Sequence, residues 1–334
     1  MRRSGSDYDA SVRAALCRRY GPPDVVELVD VPKPVPGDRD VLIKVRATTV
    51  SSGDWRVRSM DIPRGFGLLA RLALGVSRPR QPILGTELSG DVESVGKDVR
   101  QFAPGDAVFA FPGGRMGCHA DYVCVAEGGP IARKPANVSY EEAAALSFGG
   151  TTVLDFFRRG KLQKGESVLV NGASGAVGTA AVQIARHFGA TVTGVCGPTN
   201  LELVKSIGAS RVIDYTKEDF TKLGESWDVI MDTAGTAPFR RCKGALKEGG
   251  RLLLVLADLP GTLRAPLVAW TSKKRAVAGP VSERVDDIRE LAKLAEAGAI
   301  KPVIDRTYPF EQIVDAHRHV DTGRKRGSVV VMLG

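Results

Sequence analysis

The chain changes its hydrophobic rhythm once. From about 12 to 60 it runs in short apolar bursts, "VRAALCRRY", "DVVELVDV" and "DVLIKVRATTV", broken by "GPP" and "PKPVPGDRD". Runs this short, rich in Val and Ile and bounded by turn residues, predict strands. The texture returns in "ELSGDVESVG", "GDAVFAF" and "DYVCVAE", so a small irregular β unit is expected. It encloses "IPRGFGLLARLALGVSRPR", residues 62–80, an apolar segment punctuated by Arg64, Arg71, Arg78 and Arg80 that is expected to pack on the β unit. After "KPANVSYEEAAALSFGGTTVLDFFRRG" the rhythm becomes alternating: "ESVLVNG", "GAVGTAAVQIARHFG", "TVTGVCG", "NLELVKSIG", "RVIDY", "WDVIMDTAG" and "GRLLLVLA". Strands alternating with amphipathic helices predict crossover units and a parallel sheet covered on both faces, from about 140 to 280. Two further helical patterns and a last strand, "RGSVVVML", are expected to rejoin the first unit.

Composition narrows this picture in three ways. At 334 residues, 43% hydrophobic and 25% charged, the chain is a globular protein too long for one ordinary core. Lys and Arg number 47 against 38 Asp and Glu, a net charge of +9. Those cations are scattered, which favours small anions such as a phosphorylated cofactor over a nucleic-acid groove. Five cysteines, Cys17, Cys118, Cys124, Cys196 and Cys242, show no paired spacing and read as reduced thiols of a cytoplasmic protein. No apolar run approaches the roughly 20 residues of an integral membrane segment. The opening "MRRSGSDYDASVR" lacks an apolar stretch, carries Asp7 and Asp9, and reads as an exposed tail.

The candidate chemistry sits in "LVNGASGAVGTAAVQIAR". Gly172, Gly175 and Gly178 recur every third residue between an apolar strand and a helical pattern. In a dinucleotide loop the first glycine makes the turn, the second lets a pyrophosphate approach the backbone, and the third packs helix on strand. Amides around Ser174, Gly175, Ala176 and Val177 would donate to the phosphates. An NAD site places an acid about 20 residues on, to accept from the ribose 2′-hydroxyl. Here that corner reads Gly197, Pro198, Thr199, Asn200, with no carboxylate to repel a 2′-phosphate, and NADP(H) is favoured. Thr199 and Asn200 could bond the phosphate or cap the helix that follows.

In order and spacing, "YGPPDVVELVDVPKPVPGDRDVLIKV", "ILGTELSGDVESVGKDVRQFAPGDAVFA", "HADYV", "NGASGAVGTAAVQIAR", "VIDYTKEDF" and "RGSVVV" resemble the medium-chain dehydrogenase/reductase superfamily, in its zinc-independent, zeta-crystallin-like quinone oxidoreductase branch. The resemblance runs from about 12 to 334. It implies an α/β chain: a GroES-like β domain from 1–139 and 281–334, and a Rossmann doubly wound domain from 140–280. The active site would lie between them, bordered by 62–80. It further implies cofactor contacts at Gly197, Thr199, Tyr215, Arg326, Gly327 and Ser328, although many relatives have Lys where Ser328 stands. A homodimer through the edge of the cofactor sheet is left open.

Zinc members of the superfamily take a Cys after the third strand, the His of a "GHE" triplet and a third ligand at the start of the cofactor domain. Here those places hold Ser51 and Ser52, Thr86 of "GTE", and Ser147 or Phe148, and no metal is expected. Without zinc, alcohol oxidation loses its means of acidifying the hydroxyl, whereas a conjugated carbonyl already accepts a hydride. The expected activity is NADPH-dependent reduction of quinones or α,β-unsaturated carbonyls, with Ser51, Ser52 and Thr152 as oxygen-stabilising donors by resemblance. Arg56, where some relatives carry Tyr, is either a surface cation or a pocket donor. An NAD(P)-dependent alcohol dehydrogenase and a non-catalytic NADPH-sensing adaptor are the alternatives.

Overall fold

A computed structural model describes residues 11–334, apart from the side chains of 269–271. The start of the tail, 1–10, lies outside the described residues. The chain opens with an antiparallel pair, β1 (Ser11–Cys17) and β2 (Val26–Pro32), followed by the long β3 (Asp40–Val50). Helices α1 (Ser52–Ser59) and α2 (Gly67–Leu74) precede β4 (Leu88–Val95), β5 (Ala107–Ala110), β6 (Tyr122–Ala126) and β7 (Ile131–Arg133). Helices α3 (Tyr140–Ala144) and α4 (Ser147–Gly160) follow. Next come β8 (Ser167–Asn171), α5 (Ala176–His187), β9 (Thr191–Cys196), α6 (Leu201–Ser206), β10 (Arg211–Asp214), β11 (Trp227–Asp232), α7 (Phe239–Cys242), β12 (Leu246–Leu254), α8 (Leu259–Thr271) and β13 (Arg275–Val277). The end of the chain carries α9 (Val285–Glu296), β14 (Ile304–Pro309), α10 (Ile313–Asp321) and β15 (Ser328–Met332).

Two large sheets result. One is six-stranded and parallel, in the order β10-β9-β8-β11-β12-β13. Its central strands are buried on both faces, as in Val168, Leu169 and Val170 at 0% exposure, which is why the sequence there reads as unbroken apolar runs. The other is seven-stranded, β14-β15-β3-β4-β5-β7 with β6 beside β3. The last strand does rejoin the first unit: β15 pairs antiparallel with β3, Val329 opposite Val50 and Met332 opposite Ala47. The fold is the expected α/β combination of a GroES-like unit and a Rossmann-type parallel sheet.

Strand order locates the site. In an open parallel sheet, ligands bind beyond the carboxyl ends of the strands where the order reverses, here between β8 and β11. Asn171 and Asp232 end those two strands, and Asn171 Nδ2 donates to Asp232 Oδ1 at 2.8 Å. The helix α8 was not foreseen from the sequence, because Pro260 and Pro266 interrupt its pattern. Asp258 caps it, accepting from Gly261 N at 2.7 Å, and Pro260 lies in its first turn, where no hydrogen bond is lost. Among the described residues no helix is long and apolar enough to cross a membrane.

Candidate functional site

Each of the three glycines meets a different demand. Gly172 turns the chain at φ +84, a left-handed value disfavoured for any residue with a Cβ. At Gly178 a Cβ would lie 2.1 Å from the Gly172 carbonyl oxygen, so only glycine lets α5 approach the loop so closely. At Gly175 the nearest atom to a Cβ would be 3.7 Å away, and that face of the loop is open. Gly175 is also the N-cap of α5, with no side chain capping it, so the amides of Ala176 and Val177 face the loop without a side-chain acceptor. An open backbone face beside an uncapped helix end is a phosphate cradle, and the residues present fit a dinucleotide.

The ribose corner is partly as expected. Asn200 does not cap α6; its Nδ2 donates to Ser174 Oγ at 3.3 Å, and its buried Oδ1 has no partner. Thr199 is exposed, and Gly197 lies against Tyr215, whose ring is 65% exposed at the sheet rim. Asp214, at the end of β10, accepts from Thr216 N and Oγ1 at 2.9 and 2.7 Å through one oxygen, and its other oxygen is buried without a partner.

The C-terminal segment reaches the cradle over 150 residues of chain. Gly327 N donates to Ser174 O at 2.8 Å, and Gly327 bridges to Gly175. Arg326 leans on Asp305 at 3.6 Å, and Ser328 is buried with its amide on Val303 O at 2.8 Å. Sequence reading passed over Lys325. Its Nζ donates to the Gly327 carbonyl at 2.7 Å, and burial lowers its pKa to about 8, against the pull of Glu87 and Asp305. The signal available was its place in "GRKRG", between the last helix and the last strand.

Glu87 joins the two units. Its carboxyl is 1% exposed and accepts from Thr49 Oγ1 on β3 and from Phe148 N at the start of α4, both at 2.5 Å. Burial lifts its pKa to about 7, opposed by those two bonds and by Lys325. Beside it, Asp54 accepts from Ser51 N, Ser51 Oγ and Gly85 N at 2.7, 2.6 and 2.8 Å.

These bonds bear on the three expected donors. Ser51 Oγ gives its proton to Asp54 and accepts from Gly53 N and Asp54 N, as the capping box of α1. Thr152 Oγ1 donates to Phe148 O at 2.7 Å within α4. Ser52, the first residue of α1, has no hydrogen bond from its side chain among the described residues. Beyond the ends of β11 and β12 lies a cavity of about 1000 Å³, walled by Leu254, Leu256, Ala265 and Val268 and reached by Arg56 and Arg64 from the other unit.

A GroES-like unit joined to a parallel sheet that carries a phosphate cradle defines a nicotinamide-type dehydrogenase or reductase. The alcohol dehydrogenase GroES-like domain family matches residues 37–136, and the zinc-binding dehydrogenase family matches residues 207–331. The 2-methylene-furan-3-one reductase of Solanum lycopersicum is 32% identical over 93% of this chain and 76% of its own length. The chloroplastic NADPH-dependent alkenal/one oxidoreductase of Arabidopsis thaliana is 29% identical over 97% of this chain and 81% of its own. The solved quinone oxidoreductase of Coxiella burnetii superposes with a TM-score of 0.86, at 28% identity, over 97% of this chain and all of its own. The chain belongs to the medium-chain dehydrogenase/reductase superfamily of oxidoreductases, among the quinone oxidoreductase relatives.

The zinc in one family's description finds no ligands here. Ser51 is spent on a helix cap, Thr86 offers one buried hydroxyl without a partner, and both oxygens of Glu87 are occupied. Catalytic zinc takes three N, S or carboxylate ligands, and among the described residues no group of three or more His, Cys, Asp or Glu could hold an ion.

Proposed function

We propose that this protein reduces quinones or α,β-unsaturated carbonyls with NADPH, without a metal. The observation that carries the reading is the open face at Gly175, beside an uncapped α5 and a ribose corner, Gly197 to Asn200, that holds no carboxylate. Gly172, Ser174, Gly175, Ala176, Val177 and Gly178 would hold the pyrophosphate, and Gly197, Thr199, Asn200 and Tyr215 the adenosine end. Arg326, Gly327 and Ser328 would close over it, joined by Lys325. When bound, the cofactor supplies a hydride to the electron-poor carbon of the acceptor, and a proton from water completes the reduction.

The chain's own residues do the rest. Apolar walls at Leu254, Leu256 and Val268 exclude water from the acceptor. Glu87 pins β3 to α4, and with them the α1 loop that carries Ser51 and Ser52. Ser51 and Thr152 donate locally and none of the three expected donors lines the cavity, so of them only the Ser52 hydroxyl is free to turn toward an acceptor oxygen.

We place the cofactor unit at 140–280 and the GroES-like unit at 1–139 and 281–334. The setting is cytoplasmic, in keeping with five free thiols, and no nucleic acid is bound. A homodimer would form along β13, which ends the six-stranded sheet with a partner on one side. A panel of quinones and enones mixed with NADPH tests the activity; no oxidation of NADPH by any of them would end the proposal.

A further inference from the structure

Arg56 settles an alternative that the sequence left open: it faces the cavity beyond β11 and β12. It is half-buried, stacked 5.0 Å over the Trp55 ring, with Nη1 on the carbonyl of Asp61 at 2.9 Å. Its Nε is buried and has no partner. Three more arginines line the same cavity, Arg64 before α2, Arg240 on α7 and Arg264 on α8. None of the four forms an ion pair among the described residues. The cavity's two carboxylates are already used. Asp232 accepts from Asn171 Nδ2 and from the amides of Ala234, Gly235 and Ala237, and Asp258 caps α8.

Of the four only Arg56 is half-buried, with its Nε unpartnered, and burial lowers its pKa while Asp61 pulls it up; Arg64, Arg240 and Arg264 are exposed and add positive charge around a cavity of mixed lining. Such an arrangement is relieved by an anion, and the planar fork of Arg matches a carboxylate with two parallel bonds. The cofactor's phosphates are not that anion, because none of Ser174, Gly175, Ala176 or Val177 lines this cavity. Building on the reductase reading, we propose that the acceptor bears a carboxylate on an apolar conjugated body, with Arg56 binding the carboxylate while the walls hold the enone.

β-Benzoylacrylate and its methyl ester differ by that one charge. Each is reduced with NADPH by the wild-type protein, by Arg56→Met and by Arg56→Lys, and the acid-to-ester ratio of kcat/KM is read. A lost charge-assisted contact predicts a fall in that ratio of about tenfold or more in Arg56→Met, largely restored in Arg56→Lys. Calorimetric titration of the saturated β-benzoylpropionate into protein with NADP+ reads binding without turnover, and the same loss is expected there. If both acceptors are reduced and the ratio does not move, the proposal is overturned while the reductase reading stands. If NADPH binding weakens in Arg56→Met as much as acid reduction does, Arg56 serves the cofactor and the proposal is overturned. If neither acceptor is reduced but β-benzoylpropionate binds through Arg56, the anion site stands, its role in holding the acceptor is overturned, and the quinone and enone panel decides the reductase reading separately.

Discussion

Two single-methyl substitutions separate folding from cofactor binding in the glycine loop. Gly178→Ala puts a Cβ 2.1 Å from the Gly172 carbonyl oxygen and 2.8 Å from two backbone atoms of Ala173. Ordinary contact begins near 3.4 Å, so the backbone must move by more than an ångström, and such overpacking costs about 1–3 kcal/mol. Gly175→Ala meets nothing closer than 3.7 Å, and its φ of −81 and ψ of 174 suit alanine. The folding cost there is the difference between Gly and Ala as an N-cap, about 0.5–1 kcal/mol. The new methyl stands on the open face, where a phosphate would approach the backbone. NADPH affinity is expected to fall about tenfold or more, equivalent to ~1.4 kcal/mol. Urea unfolding and NADPH fluorescence titration of both variants measure the two effects. Wild-type affinity for NADPH in a folded Gly175→Ala would refute the cradle.

Two further predictions concern pH, and one concerns metal. Burial holds the Glu87 carboxyl at about 7 against an ordinary 4.5, so between these values the folded chain keeps a proton that the unfolded chain has lost. Stability contributed at this site is therefore highest below 4.5 and falls as pH rises to about 7, by at most about 3 kcal/mol; Glu87→Gln should flatten that part of a urea-unfolding series. His317 runs the other way. Burial, then His119 and Arg58, holds it well below 6.5, so stability is full above 6.5 and drops by up to about 1.4 kcal/mol per unit as pH falls; His317→Leu should remove that slope. Prolonged treatment with a zinc chelator should leave NADPH turnover unchanged, and a proportional loss of activity and zinc would contradict the ligand assignment.

The fold was legible where rhythm and periodicity agreed. Apolar runs such as "SVLV" announced strands buried on both faces, and the three glycines announced the cradle, because the turn at Gly172 and the close packing at Gly178 tolerate no other residue while Gly175 leaves the face open. What stayed hidden depended on long-range contacts. Nothing local tells that the charge of Lys325 acts on Glu87, over 200 positions away, or that Gly327 bonds Ser174. Ser51 and Thr152 looked like free hydroxyl donors because a sequence does not show which hydroxyls satisfy their own loop or helix. Arg56 was ambiguous for the same reason, until the cavity placed it.

The most direct measurement of the central claim follows a hydrogen atom. NADPH carrying deuterium at its reactive carbon is mixed with the protein and a neutral enone, and the product is examined by mass spectrometry and NMR. The account predicts one deuterium on the β-carbon of the saturated ketone, with the α-hydrogen taken from solvent. A product without cofactor deuterium, or NADPH that stays unoxidised with every quinone and enone, would contradict it.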